Sequence, residues 1–325
     1  MINDRCKFIL ESLGKRGYRF EYIRAVSGGI NSSIHLLNLE GYGLYVLKVY
    51  PLKSISDPRD RCSTEINFLD YLCKCEVENV PKILDADSGE GWSLLSWIDG
   101  QKVKSLPNSY LSQISDFILR ANSNNCFGSK ADLRYASDSL YSLENCIASI
   151  EARISELCAV PMTSSIGCET VQWITSTLVP VFVSLKTLLL NEVKFKPHWL
   201  NFHHYRIASP SDIGIHNILQ RNDCLYFLDF EYAGLDDVAK LAADLVLQPN
   251  LPLNTDQESF FLKSLEQNFH NTIPDSWLIR MNDLKPLYVI KWSLIMLNSL
   301  KSSNMTATQL DNAMNYFSSV EQLGI

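Results

Sequence analysis

The stretch that most limits what this chain can fold into is "SPSDIGIHNILQRNDCLYFLDFEYAG", residues 209–234. Residues 207–232 read as strand, loop, strand, set in a half of the chain that is otherwise helical. The fold must therefore seat a β island among helices. The island carries a particular polar set. Asp212 and Asn217 stand five residues apart, and Asp229 and Glu231 follow an apolar run. Asp, Asn, Ser and Pro all favour turns, so the plain alternative is a turn followed by a strand end with two solvated carboxylates.

The rest of the chain divides around residue 97 or 98. Residues 3–17 read as an amphipathic helix with Phe8, Ile9 and Leu13 on one side. "YIRAVSGGINSSIHLLNLEGYGLYVLKVY" then alternates short apolar bursts with glycines at 28, 29, 41 and 43, the pattern of strands and turns. Its last burst puts Tyr45, Leu47 and Val49 on one face and Val46, Lys48 and Tyr50 on the other. "RCSTEINFLDYLCKC" reads as a helix through Ile66, Leu69, Tyr71 and Cys73, and "VPKILDAD" and "GWSLLSWIDG" as two more strands. Residues 1–97 thus form a small sheet lobe. Beyond 105 the helical period dominates: Leu140, Leu143, Ile147, Ile150, Ile154 and Leu157 recur at steps of three and four. A second long helix is expected at 171–194 and more at 255–322, which makes 98–325 a mainly helical lobe.

Composition excludes some functions. With 29 basic against 36 acidic residues and a net charge of −7, the chain lacks the basic footprint of a general nucleic-acid binder. Nine cysteines at irregular spacing, with no CxxC pair, suit reduced thiols. "TLVPVFVSLKTLLL", broken by Pro180 and Lys186, reads as too short to span a bilayer, and the N-terminus shows no signal-peptide pattern. The expectation is a cytoplasmic protein without membrane or nucleic-acid partners. His198, His203 and His204 fit no metal-ligand spacing and read as loop or surface residues.

Five features now stand in order: a glycine hairpin from Ser27 to Ser33, the strand lysine Lys48, the helix acid Glu65, the Asp212–Asn217 loop, and Asp229 after a strand. Phosphoryl transfer needs such a set. Small residues let the backbone approach phosphates, a cation holds them, and a carboxylate holds that cation. A further carboxylate orients the attacking hydroxyl, while one amide oxygen and one carboxylate suffice for Mg²⁺.

"SPSDIGIHNILQRNDCLYFLDFEYAGLDDVAKLAADL", with "SGGINSSIHLL", "YVLKVY", Glu65 and "LLSWIDG", resembles the aminoglycoside phosphotransferase and choline-kinase-like family, small-molecule relatives of protein kinases. The match falls on Asp212, Asn217, Asp229, Glu231, Ala233-Gly234, Asp237 and Asp244 and is strongest over 209–247. The resemblance implies an α+β, two-lobed protein-kinase-like fold, with a small antiparallel sheet as N-lobe and a mainly helical C-lobe. It implies ATP and Mg²⁺ as cofactors and a small molecule with a hydroxyl group as substrate. A sugar-type metabolite is favoured over an amino sugar or amino alcohol, because the C-terminal segments show no dense acidic patch. By resemblance, Asp212 is the catalytic base, Asn217 and Asp229 hold the metal, and Lys48 pairs with Glu65 and holds phosphates. The backbone of Gly28, Gly29, Ser32 and Ser33 covers the phosphates, and that of Ser96, Trp97 and Ile98 meets adenine. Glu231 sits near the metal or the substrate mouth. His216 either braces the loop or faces substrate.

Two departures from the family pattern stand out. Pro210-Ser211 replaces the His-Gly before the catalytic Asp, which calls for a different brace, and Val238 replaces a turn-fixing proline. A nucleotide-binding pseudokinase or scaffold without turnover is the alternative; such proteins lose the base, a metal ligand or the lysine, all of which are present. GTP in place of ATP stays open, as does the oligomeric state.

Overall fold

The computed structural model describes residues 4–26, 32–55, 57–123, 130, 132–140, 142–161, 164–193, 196–200, 202–302 and 304–318. The chain divides into two compact units. The first gathers Met1–Ser105, Ser112–Ser137 and Ala208–Leu235; the second gathers Leu106–Leu111, Asp138–Ile207 and Asp236–Ile325. The β island therefore belongs with the N-terminal sheet.

In the first unit, β1 (Phe20–Val26), β2 (Ser33–Leu39), β3 (Gly43–Val49), β4 (Ile83–Asp87) and β5 (Trp92–Ser96) form an antiparallel sheet in the order β1-β2-β3-β5-β4. Helix α1 (Asp4–Lys15) covers one face. Its Cys6, Ile9 and Leu13 share a core with Leu37, Leu39, Leu47, Val49, Trp92 and Leu94. Alternation along a strand sends Lys48, between Leu47 and Val49, to the opposite face. There lies α2 (Arg61–Lys74), whose N-terminus is capped by Asp60 accepting the Ser63 N–H at 3.2 Å. The buried stripe of α2 runs through Arg61, Cys62, Glu65, Phe68, Leu69, Tyr71 and Leu72. Cys73, expected on that stripe, is exposed, because the true repeat passes one position earlier.

The unit is completed by a short sheet of β6 (Gln101–Lys102), β7 (Ile218–Arg221) and β8 (Cys224–Phe227). The β7–β8 turn uses Asn222 and Asp223, both at positive φ. Seven cysteines are free thiols among the described residues, whereas Cys75 is disulfide-bonded, which departs from the all-thiol expectation.

The second unit is helical: α4 (Leu143–Cys158), α5 (Ser165–Trp173), α6 (Val179–Val193), α7 (Val238–Val246), α8 (Thr255–Phe269), α9 (Trp277–Met296) and α10 (Ala307–Phe317). Of α3 (Asn108–Arg120), the residues from Ser112 on belong to the first unit. Helix α4 buries Leu143, Cys146, Ile147, Ile150 and Leu157, the face its spacing predicts. The long apolar helix starts earlier than expected. A π-helical turn, Ile174–Leu178, joins α5 to α6 just before Pro180, where a regular helix would drive the proline ring into the carbonyl four residues back. The run Ser165–Glu192 is thereby 28 residues long and, by length and composition, apolar enough to cross a membrane; 33% of its most apolar window is buried.

Candidate phosphotransfer site

Lys48 lies mid-sheet, its backbone opposite Ile34 on one side and Ser93 on the other. Its side chain is 5% exposed. Nζ donates to Glu65 Oε2 at 2.5 Å and to Asp229 Oδ1 at 2.6 Å, with Glu231 Oε2 at 4.0 Å. A buried ammonium persists only when paired in this way. Burial disfavours its charge, but Glu65, Asp229 and Glu231 outweigh burial and raise its pKa above the usual lysine value. Glu65, 1% exposed, is pushed above the ordinary carboxylate range by burial, against the opposing pull of Lys48. The geometry, one nitrogen between two carboxylate oxygens, supports a charged Lys48.

The loop of Asp212 is tightly wound. Ser211 adopts φ +64°, its N–H bonds Ser209 Oγ at 3.0 Å, and the Asp212 N–H bonds the Pro210 carbonyl at 2.8 Å. Left-handed backbone at a non-glycine residue is costly and gathers at functional sites. Asn217 Nδ2 donates to the Asp212 carbonyl at 3.1 Å, and the Leu228 N–H bonds the Asn217 carbonyl at 2.8 Å. These bonds tie the loop to the start of the Asp229 segment. His216 Nε2 lies 3.1 Å from Asp212 Oδ2. Gly214 leaves room for this: a Cβ there would come within 2.4 Å of the imidazole. The His216 bond stands where the missing His-Gly pair called for another brace. Burial pushes the Asp212 carboxyl up, but the bond and charge of His216, the Gly214 N–H and Asn217 overcome it and hold it below its ordinary value. His216 is raised in turn, chiefly by its bond to Asp212, against burial.

Asp229 is placed by its neighbour. Phe230 is buried against Phe68 of α2 (centroids 5.4 Å) and Phe117 of α3 (6.3 Å), and Phe117 stacks on Phe227 at 4.0 Å. With Phe230 anchored and Asp229 at φ +63°, the carboxylate turns to Lys48 and stays 34% exposed. One oxygen meets Lys48 and the other is open. Asn217 likewise spends its amide N–H on the loop and keeps its amide oxygen. Two hard oxygens with no sulfur or imidazole between them fit Mg²⁺. Among the described residues, no group of three His, Cys, Asp or Glu offers a separate metal site.

The other expected residues divide. Gly28 and Gly29 lie outside the described residues. Ser32 is buried and bonds Glu231 Oε2 at 3.0 Å, and Ser33 opens β2. The Ser96 N–H is taken by the Lys82 carbonyl (2.8 Å) and the Trp97 N–H by the Leu44 carbonyl (3.2 Å), which leaves the Ile98 N–H, of these three, for an outside acceptor. Glu231 is buried against Ser32 and Arg61. Sequence reasoning missed Arg61, although its position one helical turn before Glu65 was a readable signal. His203 and His204 are exposed as expected; His198 is not, and meets Asp283 at 3.2 Å.

Residues 23–121 match the Phosphotransferase enzyme family. Among curated proteins, none matches the chain in sequence. Solved structures share the fold. Choline kinase from Cryptosporidium parvum Iowa II is 13% identical with a TM-score of 0.65, covering 98% of this chain and 94% of its own. Choline kinase LicA from Streptococcus pneumoniae is 16% identical (TM-score 0.64; 98% and 97%). The ADP-bound aminoglycoside phosphotransferase APH(2'')-Ib is 15% identical (TM-score 0.61; 98% and 99%). What these structures share with this chain is the kinase-like fold, and the family match covers residues 23–121. The resemblance to the aminoglycoside phosphotransferase and choline-kinase-like family holds in the family match and in the fold.

Proposed function

We propose that this chain is an ATP- and Mg²⁺-dependent kinase of a small molecule bearing a hydroxyl group. The observation that carries the reading is Lys48 bonded at once to Glu65 and Asp229, in the same unit as the Asp212–Asn217 loop. Lys48 would hold the α/β-phosphates, with Glu65 keeping its ammonium in place. Asn217 and Asp229 would hold the cation through their oxygens. When bound, Mg²⁺·ATP supplies the transferable phosphoryl group and the charge that neutralises its oxygens. Asp212, kept ionised by its low pKa and oriented by His216, aligns the acceptor hydroxyl and takes its proton late in the reaction. The backbone near Ser32 and Ser33 borders the phosphates, and the Ile98 N–H meets adenine. Residues 1–97 and 98–325 serve as the nucleotide lobe and the substrate lobe.

A sugar-type acceptor suits the second unit better than a polycation. Asp283, one of the acids of its C-terminal helices, is occupied by Lys196 (3.0 Å), His198 and Trp199 Nε1 (2.9 Å). The test is Mg²⁺-dependent ADP release across sugars, amino sugars, aminoglycosides and amino alcohols. Release with one acceptor class, lost in Asp212→Asn, is expected. Nucleotide binding without release for any acceptor would favour the pseudokinase alternative.

A further inference from the structure

Glu231 and Arg61 are buried charges of the first unit to which phosphotransfer assigns no task. Glu231 is 2% exposed and Arg61 3%. Glu231 Oε2 accepts the Ser32 hydroxyl at 3.0 Å, and Oε1 lies 3.5 Å from Arg61 Nε. Arg61 also donates to Asp57 Oδ2 at 2.7 Å, and the Tyr232 hydroxyl is hydrogen-bonded to both Arg61 and Glu231. With both oxygens engaged inside the protein, Glu231 has no face to offer a substrate.

We propose that Glu231 and Arg61 form a buried clasp that positions Asp229 and thereby sets the affinity of the nucleotide site for its divalent cation. This rests on the kinase reading above. The argument is geometric. Asp229 sits in left-handed backbone with a half-open carboxylate, so its own conformation does not hold it in place. Phe230 anchors it against Phe68 of α2 and Phe117 of α3. Beside that packing contact, α2 meets the two flanking acids of Asp229-Phe230-Glu231 from positions one helical turn apart. Arg61 Nε faces Glu231 Oε1 in an ion pair without a hydrogen bond, and Glu65 holds Asp229 through Lys48. One ionic contact would fix a point; two fix the orientation of the segment. Ser32 extends the clasp to the head of β2, so cation ligand, helix and sheet edge are set together. Glu231 and Arg61 are thus positioning residues, and neither touches nucleotide or metal.

The test measures ADP dissociation constants with and without Mg²⁺, together with melting temperatures, for the full chain. Glu231→Gln and Arg61→Met should each weaken Mg²⁺·ADP binding by about tenfold while changing metal-free ADP binding by less than about threefold. The double variant should be no weaker than the worse single, because the two residues act as one unit. Ser32→Ala should show the same selectivity at smaller size. Unchanged Mg²⁺ dependence in folded variants, additive losses, or a loss confined to the acceptor KM would overturn the clasp. If Glu231→Gln does not fold, Tyr232→Phe removes the hydroxyl shared by both partners. It must then weaken Mg²⁺·ADP selectively, and equal binding with and without Mg²⁺ sinks the proposal. A wild-type chain that binds no nucleotide strikes at the kinase reading instead; wild-type binding with indifferent variants strikes at the clasp alone.

Discussion

The two units both bury charge, and they do it differently. In the first, Lys48, Glu65, Arg61 and Glu231 are enclosed, but the network reaches solvent at two carboxylates, Asp229 beside Lys48 and Asp57 beside Arg61, each about one-third exposed. In the second, Lys240 is closed between Asp236 (2.9 Å) and Asp244 (2.8 Å). Arg280, wholly buried, bonds Asp237 and the His198 carbonyl and lies over the rings of Trp199 (4.3 Å) and Tyr205 (4.4 Å). Asp237 also caps α7 by accepting the Ala239 N–H at 2.8 Å, which fixes the helix start without the proline of the family pattern. Every charge in that second network has its partner inside. The difference separates two uses of a buried ion pair. A closed network fixes packing; a network with an open end is prepared for something that arrives.

The contrast can be broken by substitution. The largest expected effect is on turnover: Asp212→Asn should lower kcat by about 10²–10⁴-fold with little change in melting temperature. Next, Arg280→Met leaves Asp237 buried without its cation and should cost about 3–5 kcal/mol in urea unfolding, while kcat per folded molecule is kept. Loss of turnover at unchanged stability in that variant would erase the distinction between the networks. A smaller effect is expected at Gly234, where a Cβ would lie 2.4 Å from the Arg134 carbonyl oxygen and 2.6 Å from the Ala136 nitrogen. Gly234→Ala forces the strand next to the Glu231 clasp to shift, and about 1–3 kcal/mol should be lost, read as a lower urea midpoint.

The smallest effect concerns pH. Burial would raise Asp138, but Lys291, Arg153 and Lys240 hold it at about 2. Its folded value lies below its unfolded value of about 3.9, so its contribution is present at neutral pH. That contribution is lost as pH falls from about 4 towards 2. The side chain is half exposed, which limits the effect to about 1 kcal/mol. Asp138→Asn tolerates the same left-handed backbone and should flatten the acid limb of a melting-temperature profile.

Legibility followed the distance over which a feature is encoded. The alternation around Lys48 and the spacing of α4 were readable, because side-chain direction within an element is set by local backbone geometry. The stripe of α2 was legible at Leu69 and Tyr71 but not at Ile66 and Cys73, which carry apolar character without being buried. The long apolar helix was cut short because Pro180 reads as a breaker, and a π-helical turn absorbs it. Residues 209–247 were the most recognisable stretch by their motif, yet the family match falls on residues 23–121, which hold most of the five-stranded sheet, α2 and α3.

By itself the sequence determined the order of the parts: hairpin, lysine, helix acid, Asp–Asn loop, terminal Asp. It also determined which face the residues around Lys48 take in their strand. Only the tertiary structure decided partners. Lys48 meets Asp229 across 181 residues and Ser32 meets Glu231 across 199, and His216 turned to the loop rather than away from it. The strained backbone of Ser211 and Asp229 is likewise invisible in composition. The physical reason is that periodicity records burial, a property of each residue with its element. Pairing between distant charges depends on how whole elements pack, and in this protein on where Phe230 is anchored.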